Sequence, residues 1–288
     1  MNAFLQGCLL QTTPLLLTSL GGAFCRTAGL VNVGLDAFIL VGALAAEVTG
    51  AATHSALLGT AAGALAGALG CFLMGSVITG LGANPIVTGL GFNLFSHALC
   101  RLLVKTAFGV SGLLLLASCP KLPAVSLPVL GSVDILTLLA WALVLVMTWF
   151  LDRTWLGLHL SAAGSEPAMA RTVGISAPRM LLFSTVVAGA LCGLAGADLS
   201  LGIVGAFSDD ISSGRGYVAL AAFYIGRNRP LPTALTCLFL TALEELATRA
   251  QVLNIPVSLA QAFPYISVLV LMLLQTLRTR HRHGGTLS

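Results

Sequence analysis

Nine polar side chains interrupt the long apolar runs of this 288-residue chain: Asn32, Asp36, Glu47, Asn84, Asn93, His97, Asp198, Glu244 and Glu245. Only 8% of the residues are charged and 57% are hydrophobic, whereas soluble domains carry about 25% charge, so these groups fall in segments suited to a bilayer. A charge at the centre of a membrane helix costs about 2.5–3.5 kcal/mol on insertion scales, which makes such residues candidates for function. Asn32 precedes Gly34 and Asn84 directly precedes Pro85; a broken helix at either place would expose backbone groups able to line a polar path. Asn93, Ser96 and His97 stand at i, i+3 and i+4 and share one helix face. A polar stripe of this kind, with Asn32, Asp36, Asn84 and Asn93 as the candidate path residues, suits a hydrophilic permeant. The alternative is that the same groups bind neighbouring helices by interhelical hydrogen bonds. Glu244 and Glu245 lie close to Arg249, which is i+4 from Glu245, and read as a structural ion pair.

Other chemistries find no support. The histidines at 54, 97, 159, 281 and 283 form no metal-ligand pattern, so no metal is expected. No serine sits in a Gly-x-Ser-x-Gly elbow. A phosphate-binding Gly-x4-Gly-Lys-Ser/Thr loop is missing too, so this chain is expected to bind no cofactor and to leave any ATP to another subunit. The seven cysteines read as small apolar packing residues, although Cys100 and Cys119 both fall near the outer face, where a bridge is the alternative. The basic residues stand at the ends of apolar runs, not in one stripe with interleaved aromatics, so no nucleic-acid partner is implied.

These residues must be positioned by membrane helices. Apolar runs predict spans near 3–22, 36–52, 56–81, 85–104, 131–151, 179–201, 216–226, 231–249 and 264–277, rich in the Gly and Ala that let membrane helices pack closely. The fold class is all-α, a polytopic helical bundle of about nine spans, embedded in the lipid bilayer. Residues 216–226 are too few to cross alone and read as a broken or re-entrant helix. The first span lacks a basic leader and reads as retained. No gap between spans can hold a soluble domain of roughly 50 residues, so 1–288 reads as one transmembrane domain. With the C-terminal tail inside, nine basic residues collect on the cytoplasmic side and five outside, the bias expected of inside loops. The cytoplasmic segment 152–179 then carries a polar stretch, 161–174, that reads as a short helix needing a partner. The other dense polar segment, Phe207 to Gly216 with Asp209, Asp210 and Arg215, faces outside as a gate, a docking site or a solvated loop. Segments 32–42 and 214–226 are faintly alike and would enter the membrane from opposite sides, as an inverted repeat does.

Five stretches in chain order resemble the permease subunits of bacterial ABC importers for nucleosides and simple sugars, and specifically the nucleoside branch. Arg26-Thr27-Ala28-Gly29-Leu30-Val31-Asn32-Val33-Gly34-Leu35-Asp36 resembles the family's early Glu-Arg-x-Gly-x-x-Asn-x-Gly-x-Glu-Gly segment. Gly82-Ala83-Asn84-Pro85 followed by Asn93 resembles the next. Ala163-Gly164-Ser165-Glu166-Pro167-Ala168-Met169-Ala170 through Gly174-Ile175 is similar to the cytoplasmic loop carrying the coupling helix. Gly214-Arg215-Gly216-Tyr217-Val218-Ala219-Leu220-Ala221, and Ile255-Pro256 with Phe263-Pro264-Tyr265, are similar to late motifs of the nucleoside branch. The chain departs from the pattern at Cys25, at Asp36 with Ala37, and at Ser161, where the family has Glu, Glu-Gly and Arg.

The resemblance implies a multi-pass permease of the bacterial plasma membrane that moves a nucleoside or similar small polar solute by alternating access. A cytoplasmic ABC ATPase would meet Ser165, Glu166, Pro167, Ala168, Met169, Ala170 and Arg171. A second, related permease would complete a heterodimer, and an extracytoplasmic substrate-binding lipoprotein would deliver solute near Asp209, Asp210 and Arg215. A ribose-like sugar permease and an ion-coupled secondary transporter are the alternatives.

Overall fold

The computed structural model describes residues 2–110, 112–116, 121–127 and 131–250, with positions 266 and 269. The expected span at 264–277 falls outside that range apart from those two positions. Ile255, Pro256, Phe263 to Tyr265, Cys119 and the basic tail lie outside it altogether.

Helices dominate: α1 (Asn2–Thr27), α2 (Leu35–Thr53), α3 (Ala56–Leu81), α4 (Pro85–Phe108), α5 (Ile135–Arg153), α6 (Trp155–Ser165), α7 (Pro167–Thr172), α8 (Ala177–Ala197), α9 (Arg215–Ile225) and α10 (Pro230–Ala250). Among the described residues seven helices are long and apolar enough to cross a membrane: α1 to α5, α8 with its π-helical continuation Asp198–Val204, and α10. The short α9 has 11 residues, as the sequence led us to expect of 216–226. Two small antiparallel pairs cap one end: β1 (Leu113–Leu114) with β4 (Phe207–Ser208), and β2 (Ala124–Leu127) with β3 (Gly131–Asp134). The span expected from 131 therefore starts at Ile135, because its first four residues pair with β2 instead.

The segment 161–174 is not one helix. Pro167 disfavours helical geometry in the residue before it, and Glu166 accordingly sits at φ −139°, ψ 79°. Ser161 to Ser165 thus form the last turns of α6, which begins at Trp155, and α7 starts afresh with Pro167 in its first turn.

Close helix contact is made by small residues. Gly63 and Gly67 on α3 face Gly193 and Gly189 on α8, with Gly42 of α2 against Gly193, so backbones touch where a β-carbon would collide. These registers make α3 antiparallel to α8, as the pairs Gly59–Ala46 and Gly63–Gly42 do for α3 and α2. Helix α2 is therefore parallel to α8. Cys25–Ser184 and Gly21–Ala188 set α1 antiparallel to α8, whereas Gln11–Arg215, Ser19–Ala219 and Gly22–Phe223 set α9 parallel to α1. Consequently α2 and α9 run in opposite directions. Phe38, Phe223, Leu16, Leu17 and Leu20 fill the centre, while α4 and α5 leave broad apolar faces outward.

Candidate functional site

Two helix starts meet inside the bundle. The chain leaves α1, runs through residues 28–34 without regular structure, and begins α2 at Leu35; it begins α9 at Arg215. Asp36, in the first turn of α2, accepts the backbone N–H of Gly216 through Oδ1 at 3.1 Å and the hydroxyl of Ser212 through Oδ2 at 3.0 Å. His97 Nε2 lies 3.5 Å from the same Oδ2. The carboxylate therefore sits between the positive N-terminal ends of two oppositely directed helices, where an anion is favoured. A β-carbon on Gly216 would fall 2.5 Å from the Asp36 nitrogen, so only glycine lets α9 come this close.

Asn93 holds the broken strand of backbone before α2. Its Oδ1 accepts the N–H of Ala37 at 2.9 Å, and its Nδ2 donates to the carbonyl of Val33 and to the hydroxyl of Tyr217, both at 3.0 Å. Asn32 caps the same segment, accepting the N–H of Gly34 at 2.9 Å and reaching Cys71 Sγ at 3.5 Å. Asn32, Asp36 and Asn93 are all buried. Three of the four sequence-predicted path residues thus converge, together with His97. Asn84 does not: it is exposed at the start of α4, its side chain accepting the N–H groups of Ile86 and Val87 as a helix cap. Sequence reasoning did not single out Ser212, Gly216 or Tyr217, although the Gly214-Arg215-Gly216-Tyr217 motif flagged their neighbourhood.

At one end of the bundle, Asp209 pairs with Arg101 at 3.2 Å and its backbone N–H donates to the carbonyl of Gly112. Arg215 donates to Gln11 at 3.1 Å, and Asp210 is exposed. Asp209 and Arg215 thus have intramolecular partners. Near this end Asp134 Oδ2 and Asp198 Oδ1 both lie within 3.3 Å of the place a Gly202 β-carbon would take, and burial raises the Asp134 carboxyl above its ordinary value. Glu245 pairs with Arg249 at 3.0 Å, the expected i, i+4 contact.

The opposite end carries α6 and α7. Gly164 packs against the backbone of Thr27 and Gly29, anchoring α6 beneath α1. Ser165, Glu166, Pro167, Ala168, Met169 and Arg171 are exposed, and Ala170 alone is buried. A groove of about 480 Å3 opens beside them, lined by Leu158, His159 and Ala162 of α6 and by Val173, Ile175 and Arg179. Arg26, Arg153, Arg171, Arg179, Arg227 and Arg229 all lie at this end, at the termini of α1, α5, α7, α8, α9 and α10.

The arrangement offers a hydrogen-bonded helix junction within a membrane bundle and an exposed helical step at one end. Known proteins match the chain over most of its length. A nucleoside ABC transporter permease protein, NupC of Lactococcus lactis subsp. cremoris, is 29% identical over 92% of this chain and 90% of its own. A guanosine ABC transporter permease protein, NupQ of Bacillus subtilis, is 28% identical over 80% of this chain and 77% of its own. A putative glucose ABC transporter permease protein, TsgC13 of Haloferax volcanii, is 29% identical over 88% and 78%. No solved structure matches. The family described as branched-chain amino acid transport system / permease component matches residues 4–274, and this polytopic membrane protein belongs to it.

Proposed function

We propose that the chain is the membrane-spanning subunit of an ATP-driven importer that carries nucleosides across the cell membrane. The observation that carries the substrate class is its similarity, over 92% and 80% of the chain respectively, to permeases named for nucleosides and guanosine. The geometry supports alternating access. Two helices that start at one depth and run apart, joined through Asp36, are what an inverted repeat around a central path would leave.

The arginine-rich end takes the cytoplasmic side by the positive-inside bias, and segment 152–179 is the coupling loop. There Ser165 to Arg171 present an exposed step for an ABC ATPase, whose closure on ATP is the drive. Movement follows only if the ATPase grips that step differently in the two states. A second permease completes the unit: the same Lactococcus strain holds a second matching permease, NupB. At the outer end, Asp209, Asp210 and Arg215 form the surface on which a substrate-binding lipoprotein docks. A simple sugar is the second reading, favoured by the similarity to TsgC13.

The test is uptake of labelled nucleosides and ribose in cells expressing the chain with its encoded neighbours, with and without the neighbouring ATPase. ATPase-dependent nucleoside uptake is expected. Uptake that survives loss of the ATPase but collapses with the ion gradient would make the chain a secondary transporter.

A further inference from the structure

We propose that Tyr217 and Tyr224, on the exposed flank of α9 beside α4, are two successive stations on which the nucleobase of the solute stacks as it moves through the membrane; this rests on the nucleoside reading above. The chain has three tyrosines, and the two among the described residues are both here. They stand seven residues apart on α9, which is two helical turns, so they lie in one stripe about 10 Å along the axis. Both are open to the outside of the bundle, Tyr217 at 44% and Tyr224 at 36%.

For Tyr217 the depth makes this exposure informative. Arg215 is bound by Gln11, and α9 then descends beside Ser19 and Gly22, so the Tyr217 ring lies level with the interior of α1, while Tyr224, one residue before the end of α9 and three before Arg227, lies toward the arginine-rich end of the path. Tyrosine in lipid contact favours the interfaces. His97, one third exposed, opens on the same side, since it reaches Asp36 beside Tyr217's partner Asn93. Ionisable side chains at this depth face water or protein, not acyl chains. The flank therefore borders an aqueous path, closed on its far side by the second permease.

Each ring is also held in place before any solute arrives. The Tyr217 hydroxyl is fixed by the amide of the buried Asn93, and one face of Tyr224 lies on the buried Phe223, with centroids 4.9 Å apart and planes 26° apart. A preordered aromatic face binds a flat base with little ordering cost, tolerates any base because every base has a π-face, and has two stations to pass it along.

In cells expressing the whole importer, Tyr217→Ala and Tyr224→Ala should each raise the KM for nucleoside uptake about tenfold, equivalent to about 1.4 kcal/mol. Tyr224→Phe, which keeps the ring, should stay within about twofold. On a Cys119→Ser background, water-soluble maleimide should label Tyr217→Cys and Tyr224→Cys in membranes, with nucleoside but not ribose protecting them; the six native cysteines among the described residues are buried. Unchanged KM in both alanine variants at normal membrane levels, or an equal loss with Phe and Ala at 224, overturns the inference while nucleoside transport stands. If alanine variants do not reach the membrane, Tyr224→Leu against Tyr224→Phe decides by the same readout. A wild-type importer that takes up sugar and no nucleoside overturns the parent reading, and the stations fall with it.

Discussion

Oδ1 of Asp36 accepts the N–H of Gly216 across a separation of 180 residues, joining the first turns of two helices that run in opposite directions. One buried carboxylate thereby fixes the relative position of α2 and α9, with Ser212 and His97 completing its surroundings.

Removing that acceptor leaves two buried donors without a partner, each costing about 1–3 kcal/mol. Asp36→Ala is expected to lower the melting temperature of the detergent-solubilised complex clearly, and Asp36→Asn, which keeps an oxygen toward Gly216, to lower it less. Equal melting of all three proteins would mean that the junction does not hold the helices.

At Gly216 an added methyl would meet the Asp36 backbone, whereas at Gly80 nothing lies within 4 Å. Overpacking of this kind costs about 1–3 kcal/mol or more, and here backbone is the obstacle. Gly216→Ala should reduce the yield of monodisperse complex on size exclusion, and Gly80→Ala should leave it unchanged.

Glu166 separates α6 from α7 and is exposed. Charge reversal in an interface is poorly tolerated. Glu166→Arg is expected to abolish uptake while the protein still inserts and melts normally. Normal uptake by this variant would remove the coupling role from this step.

Burial raises the Asp134 carboxyl above its ordinary 3.8. The folded state therefore holds its proton more tightly than the unfolded chain, so stability from this group is present at low pH and is lost as pH rises through the folded value. Asp134→Asn should flatten the melting-temperature profile as pH rises above the ordinary 3.8 of the carboxyl and raise stability at neutral pH. A profile identical to wild type would mean that the carboxyl is effectively solvated.

Much of the scaffold was legible because a bilayer forces each spanning segment to satisfy its own backbone hydrogen bonds. The run at 56–81 coincides with α3, and the run of 216–226 is one residue from α9 at each end. The break at Glu166 was also written locally, in Pro167, although the polar composition of 161–174 drew attention away from it. The β2–β3 pair was not legible, since Gly131 to Asp134 read as the start of an apolar run and take their strand form only from Ala124 to Leu127.

For the site, the sequence alone marked Asn32, Asp36 and Asn93 as polar groups in apolar surroundings, because their cost in a membrane is a property of the residue itself. It could not say that Asn84 would cap its own helix while the other three gathered, since an amide binds whichever donor or acceptor comes within about 3 Å. That choice was made by the glycine contacts that bring α3 against α2 and α8, and by the return of the chain at Ser212 to Tyr217. Side-chain cost is local and can be read along the chain; partnership depends on which distant segments packing brings together, and only the tertiary structure decides it.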